Sequence, residues 1–537
     1  MCADDNVNLD DVLRKLGAFG KYQLGALLML AFVYATNSMY NVNYVFAVQD
    51  VQHRCLIPEC ESSSVESNVW LNFTTPNGDG CRRYVNNNNN NATECLPYNY
   101  DHTTTAVCTQ FVYDVNDSFV AEFNLGCEGW KATLVGTAHC FGSMLGLLFQ
   151  GQISDNFGRK KAAVFAGSAG AFIGIAKSYC RSYWWYVAME TAEAAVGDAL
   201  SPIFMLSIEI VPKSSLILYQ MILLNCYTAG LMLMPLVAAM FPYWRHFLRV
   251  IYAPTLLILL YAFFLDESIR WLYSKGRREE AVELIKKAAN RNGIQLDKVM
   301  LDKLEYMNEC SVQRTHIRNG GLLLVTTLKS KIMMQRFVVC MVWWFTITLI
   351  NYGMMISSVL IAGNKYVNFA LLMLMDVPAN VLYWFVLVRH NRKSTLLVSF
   401  LIGGLFCVLQ PFVPAGEYNW LALALFMAFE LLATFSYNIV YMYTSELFPT
   451  CVRNSMHATC SAVGRVGSLL APQIPLLMTY WSGMATLIFG VTSLLSGSLV
   501  LLMPETADTQ LPDTLAQAEA IGNKSKTTMA NDQPTLL

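Results

Sequence analysis

The sequence predicts an all-α integral membrane protein of about twelve spanning helices, and three observations carry that prediction. Hydrophobic residues make up 55% of the 537 positions and charged residues only 14%, where soluble domains carry about 25% charge. The charge is bunched, and the apolar runs between the bunches are each long enough to cross a hydrocarbon core of about 30 Å as a helix. The runs also fall into two sets of six, parted by a long polar insert. Helices are required because lipid offers backbone groups no hydrogen-bond partners. The net charge of −1 leaves no footprint for a nucleic-acid partner.

Taken in order, the candidate spans lie near 22–47, 131–150, 161–178, 184–210, 216–240 and 247–265, then 336–360, 367–388, 395–413, 419–443, 456–480 and 482–503. The predicted organisation is an N-terminal segment 1–21, a first bundle 22–265 that contains a long loop 48–130, an insert 266–335, a second bundle 336–503 and a tail 504–537. The first residues are polar and acidic, with no small-residue cleavage site. The apolar run Leu24 to Val48 is too long for a signal peptide and reads as the first span.

The loops set the expected orientation. The insert is basic, with Arg270, Lys275, Arg277, Arg278, Lys286, Lys287 and Arg291, and its stretch REEAVELIKKAANRNG puts Ala281, Leu284, Ile285 and Ala288 on one helical face. Short loops at Arg159 to Lys161, Arg389 to Lys393 and Arg453 are basic too, so these loops and both termini are expected in the cytoplasm. Loop 48–130 differs. It carries Cys55, Cys60, Cys81, Cys95, Cys108 and Cys127, and N-x-S/T sequons at Asn72, Asn91 and Asn116. Paired cysteines and glycosylation suit an oxidising, extracytoplasmic surface, and six cysteines allow fifteen pairings among which sequence does not choose. The asparagine run 86–91 reads as a solvated spacer.

The sharpest motif is GQISDNFGRKKA, residues 151–162, between the second and third spans. Gly151 would let a helix end approach its neighbour. Asp155 can pair with a cation or a helix N-terminus, Gly158 permits a tight turn, and Arg159 can grip a carboxylate. The string resembles the signature loop of the major facilitator superfamily. DESIRWLYSKGR from Asp266, TSELFPTCVRN from Thr444, PETADTQLPDT from Pro504 and FGKYQ from Phe19 then narrow the likeness, together with the long cysteine-bearing loop. The chain resembles the organic cation, organic anion and carnitine transporter family from about residue 9 to residue 515. That resemblance implies two six-helix bundles, alternating access, a substrate site between the bundles near the midplane and residence in the plasma membrane. It also implies a cytoplasmic gate of inter-bundle ion pairs in an outward-open state. Asp155, Arg159, Glu209, Arg270, Glu446 and Arg453 stand at the expected span ends. The loop after the eighth span departs from the pattern, with Val388 and Asn391 where an acid and a glycine would repeat the signature.

Ionisable residues inside spans are costly and therefore functional candidates. Arg465 lies inside the eleventh span, flanked by Gly464 and Gly467. By the resemblance, organic cation members carry an acid there and anion or carnitine members an arginine. A guanidinium in a cavity suits a carboxylate, sulfate or phosphonate. Glu190, Glu193 and Asp198 of the fourth span oppose that reading, either as ligands for a substrate amine or as residues near the outer interface. The remaining candidates for the cavity lining are Phe345, Asn351 and Tyr352 of span 7, Asn380 of span 8, Tyr227 of span 5, and Tyr437 and Asn438 of span 10. No Walker motif, H-E-x-x-H or G-x-S-x-G occurs, so neither direct ATP drive nor an enzyme is expected, and no cofactor or metal is read. The expected function is a carrier of small organic anions or zwitterions, with a coupling ion or counter-substrate left open. The alternatives are an organic cation carrier using the span 4 acids and a receptor of the same fold.

Overall fold

The structure is a computed structural model that describes residues 9–521 apart from 18, 50, 62–66, 77–78, 87–94, 213–214, 296–328, 361–362, 390, 415–418, 450–452, 507–511 and 513–514. Twelve spans can be followed in it. Span 1 is Lys21–Asn41, continued past a break at Val42 by Asn43–Ala47. Span 2 is Gly129–Phe157, span 3 Arg159–Lys177, span 4 Tyr183–Val196 with Leu200–Ile210, and span 5 Leu216–Met240. Span 6 is Trp244–Tyr252, carried on by a 3-10 stretch at Ala253–Leu260. The second half holds span 7 at Lys331–Ser358, span 8 at Lys365–Leu374 with Asp376–Arg389, and span 9 at Arg392–Leu409. Span 10 is Asn419–Leu447, span 11 Arg453–Leu470 with Ile474–Met478, and span 12 Met484–Val500.

Among the described residues, seven helices are long and apolar enough to cross a membrane by length and composition alone. Spans 1, 3, 4, 11 and 12 are not among them; span 12 is apolar but only 17 residues long, and for the others the reason is local. Span 4 breaks at residues 197–199, where the Asp198 carboxylate accepts from Leu200 N at 2.9 Å and starts the second segment. Span 11 breaks into a 3-10 turn at Ala471–Gln473, around Pro472. Spans 1 and 3 carry polar groups that are turned inward: Gln23, Thr36, Asn37, Ser38 and Lys177 are all buried. A polar group inside the bundle can be hydrogen-bonded, whereas one facing lipid cannot.

The signature string is more helical than a loop reading suggests. Residues 151–157 finish span 2, and only Gly158 lies between spans 2 and 3. Gly158 has φ +107°, and a Cβ there would collide with the Glu267 carboxylate. Gly151 is different from expectation, because a Cβ on it would meet nothing within 4 Å. It is exposed, so no neighbouring helix needs its small size.

The two halves meet most tightly at the end that carries the cysteine-rich loop. Among the described residues, every side-chain hydrogen bond between the halves lies there. Thr133 Oγ1 donates to Gln473 Oε1 at 3.2 Å, Gln473 Nε2 donates to Thr137 Oγ1 at 2.6 Å, and Lys365 bonds Gln49. Phe46 stacks on Tyr366 at 5.9 Å and meets Phe369 edge-on at 5.0 Å. A Cβ on Gly136 would come within 2.9 Å of Pro472, so this glycine sets the approach of span 2 to span 11.

The loop itself folds as a small unit. His53–Cys55 pairs antiparallel with Phe111–Tyr113, and Arg82–Asn86 with Tyr100–Val107. Its cysteines join as Cys55–Cys108, Cys60–Cys95 and Cys81–Cys127 around a core of Ile57, Trp70 and Tyr100. Asn72 and Asn116 are exposed, and Asn91 lies outside the described residues. The loop is tied to the first half: Glu122 accepts from Trp244 Nε1 at 2.9 Å and pairs with Arg245, and Phe119 packs on Tyr186 and Trp244.

At the opposite end the insert helix runs Arg278–Asn292, with Ala281, Ile285 and Ala288 buried as the periodicity predicts. It docks on the first half. Asn292 donates to Leu16 O and to Gln23 Oε1, both at 2.9 Å, and accepts from Tyr22 N at 2.8 Å.

Candidate functional site

Arg465 sits between the halves at mid-depth of span 11. Its Nη1 donates to the Tyr352 hydroxyl at 3.2 Å, and it interacts electrostatically with Tyr437 and, across the divide, with Asp198. Among the described residues no carboxylate is in ion-pair contact with it. Tyr227 of span 5 faces the same region, where it interacts with Tyr352, Tyr437 and Asp198 and accepts from Asn41 Nδ2 at 3.4 Å. Four of the sequence candidates, Arg465, Tyr352, Tyr437 and Tyr227, are therefore brought together, with Asp198 as the acid opposite.

The glycines beside Arg465 serve helix packing. A Cβ on Gly464 would lie 3.0 Å from Trp344 O, and one on Gly467 would strike Phe345 O. Spans 7 and 11 thus touch backbone to backbone, which seats Tyr352 one side of the cleft and Arg465 within its reach. Phe345 and Asn351 are half-buried on span 7, and Asn351 Nδ2 donates back to Ile347 O at 3.0 Å. Trp343 and Trp344 are fully buried in the second half, donating to Ser496 O at 3.1 Å and Thr444 Oγ1 at 3.2 Å. Asn380 and Asn438 satisfy each other, Nδ2 of Asn438 donating to Oδ1 of Asn380 at 2.8 Å. One turn away Thr434 donates to Asp376 at 2.8 Å, so spans 8 and 10 share a two-rung polar ladder.

Glu190 and Glu193 are corrected most. They neither line the cleft nor approach an aqueous interface: both are buried inside the first half, with Lys177 Nζ 2.6 Å from Glu190 and 3.4 Å from Glu193. His139 Nδ1 lies 2.9 Å from Glu190. Neither Lys177 nor His139 was singled out from the sequence. The signal that could have found them was available, since a basic residue inside one apolar run and two acids inside the next is a costly pattern unless they pair.

The charged residues at the basic end also pair differently from the inter-bundle gate that the resemblance implied. Arg159 bonds Asp155, Ser154 Oγ at 3.0 Å and Glu209 at 3.2 Å, all within the first half. Glu446 lies 3.5 Å from Arg392 and accepts from Thr506 at 2.6 Å, all within the second. Arg270 lies on the short helix Ile269–Ser274, and Arg453 opens span 11, its side chain outside the described residues. The halves are pressed together at the cysteine-loop end, so each carboxylate at the other end finds its partner in its own half.

The two halves repeat one device there. Glu267 accepts from Lys160 N at 3.1 Å at the start of span 3, and Glu505 accepts from Arg392 N and Lys393 N, both at 3.0 Å, at the start of span 9. A carboxylate on the free N–H groups of a helix start is favourable by charge and by hydrogen bonding.

Residues 92–514 match the family described as "Sugar (and other) transporter". The chain is 30% identical over 534 residues to an organic cation transporter protein of Drosophila melanogaster, covering 96% of this chain and 95% of that one. It is 29% identical to the human organic cation/carnitine transporter 2, covering 95% and 93%. Among solved structures, a crystal structure of a D-xylose–proton symporter aligns with TM-score 0.58 at 14% identity, over 91% of this chain and all of that one. The inward-open xylose transporter of E. coli aligns with TM-score 0.55 at 15% identity, over 92% and 99%.

Proposed function

Because this chain belongs to the sugar-and-other-transporter family and is a membrane transporter of the organic cation/carnitine type, we propose that it carries small organic zwitterions or anions by alternating access. The observation that carries the reading is Arg465, a guanidinium between the halves that is oriented by Tyr352 and has no carboxylate in contact among the described residues. A substrate carboxylate would complete it. Asp198 and the tyrosine faces stand opposite and suit an ammonium group. The organic-cation reading keeps one acid, Asp198, since the other two are buried inside the first half beside Lys177, away from the cleft.

The basic insert and termini are assigned to the cytoplasm of a plasma-membrane carrier and the sequon-bearing loop to the outside, by the distribution of Lys and Arg. On that assignment the structure is closed outward, and the pairs Arg159–Glu209 and Arg392–Glu446 are gate residues at rest. They would exchange partners across the halves when the cytoplasmic end closes.

The test is an uptake panel of carnitine, β-alanine, urate, succinate and dopamine in cells expressing the chain. Arg465→Asp at equal surface expression is expected to cut carboxylate uptake at least about tenfold, the value of a charge-assisted hydrogen bond. Unchanged carboxylate uptake in that variant sinks the reading. Uptake of dopamine alone, lost in Asp198→Asn, establishes the cation alternative.

A further inference from the structure

The first half encloses a network of ionisable groups that the substrate site does not use. Lys177 and Glu190 are wholly buried, and Glu193 and His139 nearly so, at 1% and 3% exposure. Four spans and the continuation of span 1 contribute. Lys177 Nζ donates to Glu190 Oε2 at 2.6 Å, to the Tyr252 hydroxyl at 2.9 Å, and more distantly to Glu193 Oε2 and Asn43 Oδ1, both at 3.4 Å. Asn43 Nδ2 donates to Glu190 Oε1 at 3.1 Å, and His139 Nδ1 reaches the same oxygen at 2.9 Å.

The two acids are not equivalent. Glu190 receives close donors from Lys177, Asn43 and His139, which is the environment of a carboxylate. Glu193 has the ammonium at 3.4 Å and His139 at 3.9 Å. One lysine cannot neutralise both. With Glu193 ionised and His139 neutral, the network carries a charge of about −1 among fully buried side chains, which is expensive. One proton makes it neutral. The remaining neighbours do not supply that balance: Tyr40, Tyr186 and Tyr252 are neutral phenols around it. The nearest further cations are committed elsewhere, Arg245 to Glu122 and Ser178 O, Arg249 to Ser178 Oγ at 3.1 Å. Asp198, a further acid, interacts with Arg465 and with His139 and so adds no positive charge. His139, Glu190 and Glu193 also have the donor set of a metal site, but the Lys177 ammonium already stands where a cation would.

The network reaches the seam between the halves through Tyr44, and also through Asp198, which interacts with His139. Tyr44 lies 5.3 Å from the His139 ring, centroid to centroid, and a Cβ on Gly136 would touch both Tyr44 and Pro472 of the second half. Tyr44 also interacts electrostatically with Tyr352, the partner of Arg465. Parting the halves at the cysteine-loop end would uncover Tyr44 and His139 first.

We propose that Glu193 binds one proton when that end is open and that the neutralised network then permits it to close, so that substrate uptake is coupled to a proton moving in the same direction. The step is a simple protonation and its reversal: the Glu193 carboxylate takes a proton from water on the cysteine-loop side, keeps it through closure while Lys177 stays an ammonium, and returns it to water on the basic side before the cycle resets. This rests on the carrier reading above. The experiment uses full-length protein in liposomes with labelled carnitine and β-alanine, comparing counterflow at equal pH with net uptake under an outside-acid pH step. Wild type should show counterflow, net uptake accelerated several-fold by the step, and about one proton entering per substrate by an internal pH dye. Glu193→Gln, which imitates the protonated side chain, should keep counterflow and lose the response to the pH step. His139→Gln should shift the pH profile. Counterflow with no pH response in wild type, or an unchanged response in Glu193→Gln, overturns the coupling while leaving the carrier intact. Absent counterflow of every probe overturns the carrier reading instead. An infrared titration of wild type covers a variant that does not fold: a buried protonated-carboxyl band must appear on acidification, and a spectrum without one overturns the assignment of the proton.

Discussion

Arg465 and Gly158 show how much one position can carry. Arg465 depends on shape as well as charge. Its planar fork reaches Tyr352 while leaving donors for a carboxylate. Arg465→Lys keeps the charge, yet it should still raise the KM for carboxylate substrates several-fold, measured by uptake at equal surface expression. Gly158 depends on backbone freedom. At φ +107° with Glu267 against it, Gly158→Ala should cost about 1–3 kcal/mol and appear as a lower melting temperature of the purified protein. Both positions were legible in the sequence, one as a charge inside an apolar run and the other as a glycine before Arg159. Lys177 was not. It ends span 3, where a lysine ordinarily reaches toward the interface, and its partners Glu190 and Glu193 follow in the next span. Nothing in their spacing says that two antiparallel helices bring them to 2.6 and 3.4 Å.

At the scale of elements, the sequence was most informative where periodicity was strong and least where a span breaks. The insert helix at Arg278–Asn292 falls where its apolar stripe placed it. The breaks at Val42, Asp198 and Pro472 fall inside windows whose average hydropathy reads as one continuous span, although Asn41 and Asn43, Gly197 and Pro472 itself are local breaker signals. These breaks position Asn43 in the buried network, Asp198 opposite Arg465 and Gln473 at the seam between the halves. The acidic caps on spans 3 and 9 are a further element-scale feature. Glu505→Gln removes a charge from the Arg392 and Lys393 amides and should destabilise the second half by about 0.3–1 kcal/mol, read as a small fall in melting temperature that added salt diminishes. In the loop, the three disulfides hold a core too small to stand without them. Cys60→Ser with Cys95→Ser is expected to cost about 2–5 kcal/mol, seen as retention of immature, core-glycosylated protein.

The whole molecule is two six-helix halves with a polar seam. Composition and hydropathy predicted the halves, while the side of closure required coordinates. Thr133, Thr137 and Gln473 join the halves at the cysteine-loop end. A Thr133→Cys/Gln473→Cys pair should therefore be joined by a short bifunctional methanethiosulfonate reagent, lose net uptake, and regain it on mild reduction, as measured by tracer uptake before and after each step. Free uptake by the cross-linked protein would show that this end need not open.

The cysteine-rich loop, finally, is fastened by Glu122 and Phe119 to spans 4 and 6 of one half, and so behaves as a rigid handle on a single moving part. A binder that grips this handle together with the turn at Asn364–Lys365 of the other half would work as an external brake. It would arrest the cycle without entering the substrate path, and its potency would not fall as substrate concentration rises.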